Sequence, residues 1–216
     1  EAHNYAYRME KPKNCFLIIN PDISLEKKAL RNLLNSFDKT VGLVEARQLP
    51  FSHPKDDTKK TEFETNWASG CCLLINSHMF KETGGFDENY WMYLEDVDLS
   101  WRSWIEGYKV LQNPKAIAYH FTGLYFRYDS YSYNIEEFWS IRNFLYISYK
   151  FFGNSGLKEA LQIVKNLPYK KEFKKEAIQN FQHLRRTITI RQINIPYGLT
   201  SFIRIFGYNK FSELPK

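Results

Sequence analysis

Five carboxylates stand among aromatics in the run Gly84-Gly85-Phe86-Asp87-Glu88-Asn89-Tyr90-Trp91-Met92-Tyr93-Leu94-Glu95-Asp96-Val97-Asp98-Leu99-Ser100-Trp101-Arg102. Adjacent Glu95 and Asp96 are groups that can accept a proton or hold a cation. They can equally do no more than complement the positive end of a helix. Two further groups with chemical potential lie far away in sequence. Asp22 follows Asn20 and Pro21 just past an apolar run, where α/β sheets place ligand-binding groups and where turns also put acids. His120 closes a later apolar stretch. A lone histidine in such a place is more often structural than a ligand.

The elements that must carry these groups are legible in part. Leu94, Val97, Trp101, Trp104 and Ile105 recur at spacings of three and four, which predicts a helix that Glu95 and Asp96 open. Asp98 and Arg102 can then pair along its surface, and Gly107 stops it. The Gly84-Gly85 pair predicts a turn. Asn14 to Asn20 predicts a buried strand of the parallel-sheet kind, stopped by Pro21. Ser24 is then the cap of a helix over 25–37. Val41 to Arg47 predicts a strand, and 50–64 a surface loop. Trp67-Ala68-Ser69-Gly70 leads into an apolar strand, and its small residues would let a ligand approach the backbone. Ser77 predicts the cap of a short helix ending at Gly84. Two short strands, 108–111 and 116–119, are split by Asn113-Pro114. Helical spacing returns over 134–152, 156–166 and 171–189.

The run from Gly84 to Arg102 resembles, without a gap, the segment of family 2 glycosyltransferases that reads Gly-Gly-Phe-Asp-Glu, a short aromatic run, then Glu-Asp-x-Asp-Leu and an Arg. The resemblance implies an inverting transferase of the GT-A type, with Asp96 as the base that activates an acceptor hydroxyl and Glu95 binding the acceptor or orienting Asp96. The strand-Asn-Pro-Asp order resembles the family's Asp-x-Asp element, with Asn20 in place of the first acid. By that resemblance Asp22 and His120 hold a divalent cation, Mn2+ or Mg2+, and Asn20 touches the donor. By the same resemblance Ser69 and Gly70 line the sugar cleft, although tight strand–helix packing would use such residues equally. Trp67 can stack on a pyranose or fill the core, and Trp91 can wall the acceptor site or pack at the helix start. Met92 to Asp96 is most similar to rhamnosyltransferase-type members. Arg142-Asn143 is similar to a pair many sugar transferases carry.

The implied fold is α/β: a partial GT-A, Rossmann-like mixed sheet flanked by helices over 1–123, followed by a basic, aromatic-rich helical extension over 124–216. The family begins with a β-α-β unit that grips the nucleotide. Such a unit takes about 30 residues or more and only 19 residues precede Asn20, so that part is expected to lie outside this sequence. The implied partners are a nucleotide-sugar donor and a saccharide or lipid-linked acceptor, in bacterial cell-surface polysaccharide synthesis. Nucleic acid has no motif support.

Charge and cysteine usage bound the setting. Residues 141–216 carry 14 Lys/Arg against 4 Asp/Glu, whereas the first 140 carry 16 against 20. So basic a tail suits either an anionic membrane surface or a solvated helical face. Cys15, Cys71 and Cys72 have no metal or disulfide spacing, which points to a reducing compartment, cytoplasmic or at the inner face of the membrane. The competing reading is a non-catalytic module that binds a partner or membrane through the basic part.

Overall fold

The computed structural model describes residues 1–50, 63–121, 130–200 and 203–204, with side chains of the long C-terminal helix from residue 135 on. The elements run α1 (Ala2–Glu10), β1 (Cys15–Ile19), β2 (Ile23–Leu25), α2 (Ala29–Asn35), β3 (Val41–Leu49), β4 (Cys72–Asn76), α3 (Ser77–Glu82), α4 (Glu95–Ile105), β5 (Lys109–His120), α5 (Ser130–Asn166, kinked at Gly153) and α6 (Lys171–Thr187), then a short 3-10 turn at Tyr197–Leu199. The five strands form one mixed sheet in the order β1-β4-β3-β5-β2, in which only β3 and β5 run parallel. The fold is thus a mixed α/β sheet with helices on both faces.

Period-two alternation in the central strands sorts their side chains between two cores. Leu73 and Ile75 of β4 join a core made with α3, α4 and α5, while Cys72 and Leu74 face a smaller one beneath α2. Both faces are buried, so the strand reads as one continuous apolar run. Burial raises the Cys71 thiol pKa well above its ordinary value and that of Cys72 to about 11, with the Glu45 carboxylate adding to both shifts. These are packing residues, with little thiolate available for chemistry.

Several local expectations are corrected. Residues 1–13 are polar and tyrosine-bearing with no clear hydrophobic period, yet Ala2–Glu10 form α1, and it covers β1: Tyr7 packs on Phe16 with rings 5.3 Å apart. The apolar β1 is not a parallel central strand. It is an antiparallel edge strand, and shielding by α1 explains why an edge can be so apolar. Ser24 sits in β2 and caps nothing; α2 begins later, after Lys28. Asn76, not Ser77, caps α3, its Oδ1 accepting from the backbone N–H groups of His78 and Met79. The two strands expected around Asn113-Pro114 are one. Pairing with β3 jumps from Asn113 to Ile117, so the proline, which has no N–H to give the ladder, lies in an irregularity the strand passes through. The loop expected over 50–64 lies outside the described residues from 51 to 62, as do the junction at 122–129 and most of the tail after 200.

Beyond that junction, α5 packs on the sheet side of the molecule. Ile141, Phe144, Leu145 and Phe151 belong to the same core as Leu73, Ile75 and Trp101. Within that core lies a charged cluster. Asp98, fully buried, accepts from Arg102 Nε at 2.5 Å and from Lys150 Nζ at 2.5 Å, and Lys150 also donates to Asp87 at 2.8 Å. Arg102 continues to the carbonyls of Thr83 and Gly85. The Asp98–Arg102 pair expected on the helix surface is therefore interior, and it ties the Gly84-Gly85 turn, α4 and α5 together. Gly85 itself (φ 78°) could not bear a side chain: a Cβ would stand 2.6 Å from Asn4 Oδ1, and Asn4 holds the turn through both the N–H and C=O of Phe86.

Burial opposes ionisation of Asp87, but Lys150, the Asn89 N–H and the Tyr146 hydroxyl outweigh it and lower the pKa to about 2. A carboxylate with a depressed native pKa stabilises the fold above its unfolded value near 4 and loses that contribution as pH falls through about 2. Acid titration followed by circular dichroism should show stability falling from about pH 4 downward, with a smaller drop in Asp87→Asn. Lys150→Met should cost about 3 kcal/mol in denaturant unfolding, because it leaves buried Asp98 to Arg102 alone and takes the cation from Asp87.

Candidate active site

The chain passes from one edge of the sheet to the other in three residues, Asn20, Pro21 and Asp22, since Ile19 belongs to edge strand β1 and Ile23 to edge strand β2. A flat five-stranded sheet would separate its edge strands by about 19 Å, but four residue steps reach only about 14 Å. The sheet must therefore curl, and the turn crosses its open end. A cavity of about 510 Å³ at that crossing is lined by Asn20 and Pro21 together with Ile18, Gly70, Asp96 and His120.

Seven of the nine residues singled out from the sequence line this cavity: Asn20, Trp67, Ser69, Gly70, Glu95, Asp96 and His120. Asp22 does not line it but reaches His120, with its Oδ2 3.3 Å from Nε2. Trp91 lies outside the lining. It is 71% exposed, its ring 6.4 Å from that of Trp139. Trp67 is a core residue, 4% exposed, which gives the cavity a wall and not an open ring face.

Asp96 sits in the first turn of α4. Its Oδ2 accepts the Gly70 N–H at 2.9 Å and its Oδ1 accepts the Val97 N–H at 2.8 Å. The first bond locks the Ser69-Gly70 entrance of β4 to the helix mouth, and Ser100 adds a second link by accepting the Ala68 N–H and donating to the Asp96 carbonyl. Each carboxylate oxygen keeps a lone pair beyond these bonds. The carboxylate is thus oriented and still able to take a proton from a group in the cavity. A Cβ on Gly70 would meet Asp96 at 3.5 Å, an ordinary contact, so the small residue serves cavity space and not backbone strain.

His120 ends β5, and Asp22 immediately precedes β2, the strand paired with it. Gln48 fixes the histidine tautomer. Its Nε2 lies 3.5 Å from Glu45 Oε1, so its Oε1 faces His120 Nδ1 at 2.9 Å and accepts that proton. That leaves Nε2 facing a carboxylate oxygen of Asp22, a pairing completed by a proton or a cation between them, and the Gln48 bond is the outer support that metal-binding histidines commonly have. Among the described residues no group of three or more His, Cys, Asp or Glu stands together as a metal site. Two protein donors suit a divalent ion that takes its other ligands from phosphate and water.

What sequence reasoning missed is how the loop before α4 is held. Tyr93 and Leu94 both have left-handed backbone, φ 69° and 71°. Side chains rarely adopt it, at roughly 1–2 kcal/mol per residue. Fully buried Asn143 donates to the carbonyls of Met92 (2.6 Å) and Tyr93 (2.8 Å), and Arg142 donates to that of Asn89 (2.6 Å). The Arg142-Asn143 pair was visible in the sequence, but its target was not, because it lies some fifty residues upstream. His3 and Glu136 also line the cavity and carry no motif.

The class this defines is a glycosyltransferase-like chain with a partial GT-A fold. The structure aligns with the crystal structure of GalNAc-T7 with UDP, GalNAc and Mn2+ at a TM-score of 0.54 and 15% identity, over 87% of this chain and 42% of that one. No protein-family model matches. In sequence the chain is 38% identical over 69 residues to the N-acetylglucosaminyl-diphospho-decaprenol L-rhamnosyltransferase of Mycobacterium tuberculosis, and 31% identical over 87 residues to rhamnosyltransferase WbbL of Escherichia coli K12. These matches cover 32% and 39% of this chain and only 22% and 31% of those proteins. The chain is similar to family 2 glycosyltransferases, of rhamnosyltransferase kind, over part of their length.

Asn143→Ala should leave two carbonyls of the strained loop without their donor. We expect a loss of about 1–3 kcal/mol in denaturant unfolding at unchanged slope.

Proposed function

We propose that this chain is the acceptor-side part of an inverting glycosyltransferase that moves a sugar from a nucleotide-sugar donor to a saccharide hydroxyl. The observation that carries the reading is convergence. Asn20, Gly70, Asp96 and His120, from four separate stretches, line one cavity large enough for a sugar phosphate.

In this reading the acceptor hydroxyl enters beside the free lone pairs of Asp96. Its oxygen forms a bond to the anomeric carbon as the bond from that carbon to the phosphate oxygen breaks. Asp96 takes the hydroxyl proton, and the nucleoside diphosphate leaves with the electron pair. One carboxylate serves one displacement, so the configuration inverts. Glu95 binds or orients the acceptor next to it. Asp22 and His120 would hold a divalent ion, which when bound neutralises charge on the departing diphosphate. Gln48 keeps the His120 lone pair turned toward that place, and Asn20 can hydrogen-bond the donor without adding charge.

The names of the two relatives support rhamnose as the donor sugar, and the mycobacterial one its L form. That of the mycobacterial relative supports an acceptor whose sugar is carried on a lipid diphosphate, hence surface-polysaccharide synthesis at the cytoplasmic face of a membrane. No described helix is long and apolar enough to cross a membrane, so contact with such a surface would be peripheral, through the basic segment after residue 140.

Two measurements test this. Release of nucleoside diphosphate from a panel of nucleotide sugars should be seen with the natural chain and fall about 100- to 10,000-fold in Asp96→Asn, which stays folded with a lowered melting temperature because its single amide oxygen can accept only one of the Gly70 and Val97 N–H groups. Near wild-type turnover in that variant would remove Asp96 as the base. Mn2+ added with a nucleoside diphosphate should raise the melting temperature, and this shift should vanish in His120→Ala and Asp22→Asn. Equal shifts in all three proteins would remove the metal assignment.

A further inference from the structure

The glycosyl-transfer reading leaves open what holds the acceptor, and the outer wall of the cavity bears on this. Glu136, on the first turns of α5, lines the same cavity as Glu95 and Asp96. Trp139 lies three residues further along α5, on the same face one turn away. There its ring meets Trp91, at 6.4 Å between centroids and an interplanar angle of 38°. The two indoles form an open, tilted pair, with Trp91 71% in solvent. A single exposed aromatic is ordinary on a protein surface. The backbone that carries this one is held in place. Its loop is pinned on both sides by Arg142 at the Asn89 carbonyl and Asn143 at the Met92 carbonyl, and Trp139 is backed by the Arg142 guanidinium at 5.6 Å and by the edge of Phe138 at 5.1 Å. A fixed aromatic face binds at lower entropic cost than a mobile one.

We propose that Glu136, Trp139 and Trp91 form the acceptor subsite, with an uncharged pyranose laid on the indole pair and its hydroxyls taken by Glu136. The proposal rests on the transferase reading and adds the ligand's chemical class. A pyranose has an apolar C–H face that suits an indole and a rim of hydroxyls that suits a carboxylate. The charge requirement follows from the lining. Among the described lining residues there are three carboxylates, Glu95, Asp96 and Glu136, and neither lysine nor arginine. Their field registers at Tyr93, between them, whose hydroxyl pKa is raised to about 12 first by burial and then by Glu136 and Glu95. A carboxylate or phosphate on the reacting sugar would meet that field unpaired. The diphosphate of a lipid-linked acceptor must therefore lie outward of the indole pair.

The test uses methyl β-glucoside and methyl β-glucuronide, which differ only at C6, with binding read by saturation-transfer NMR at neutral pH. The glucoside should bind about tenfold more tightly than the glucuronide. Trp91→Ala should weaken glucoside binding about tenfold at an unchanged melting temperature. Glu136→Gln should weaken the glucoside and narrow the gap to the glucuronide. Equal binding of the two glycosides, or glucoside binding unaltered in both variants, overturns the subsite. Nucleotide release and the metal-dependent thermal shift read the donor side, so failure of the transferase reading is seen separately.

Discussion

A fully buried aspartate neutralised from two directions is the constraint on which the rest depends. Asp98 projects from α4 into the main core and would be untenable there alone. Arg102, one turn along the same helix, supplies one cation, and Lys150, from α5, supplies the other. The second contact fixes how α5 lies against α4, and through Asp87 it also fixes the turn that delivers the chain to α4. Everything that shapes the mouth of α4 follows. With α5 docked, Asn143 and Arg142 stand where they can hold the carbonyls of Asn89, Met92 and Tyr93. With those held, the left-handed Tyr93 and Leu94 are tolerable, and Glu95 and Asp96 open the helix into the cavity.

This division of labour explains why one sequence run holds so many acids. Asp87 and Asp98 hold structure: both are shielded and both meet Lys150. Glu95 and Asp96 line the cavity, and Asp96 is held there by the backbone N–H groups of Gly70 and Val97. The aromatics interleaved with them divide the same way. Tyr90 is buried and donates to Asp98, whereas Trp91 is turned to solvent.

How much of this was legible depended on the range of the interaction. The helix Glu95–Ile105 was readable because its evidence is local: periodic apolar residues, an acidic first turn and a following glycine. The candidate site was readable because its residues lie in short runs that resemble one family's motifs, and most of those runs meet in one cavity. Failures came where a distant partner decided the outcome. β1 looks central by composition and is an edge strand because α1 covers it. Residues 23–25 look like a helix start and are a strand because β5 offers them a ladder. Asp98 looks like a surface partner and is interior because Lys150, 52 residues away, reaches it. Glu136 and His3 have no motif and could be found only by their position.

The short crossing between the sheet's two edges also determines how the Asp22–His120 spacing is kept. Ile23 pairs with His120, and Phe121 donates its N–H to the Asp22 carbonyl. The two side chains are therefore spaced by a backbone ladder and not by the loop that carries one of them. Lengthening the loop would let the sheet relax and open the cleft while leaving the pair intact. A slip of one rung between the outer strands would instead turn the carboxylate to the opposite face and dismantle the pair without changing a single residue.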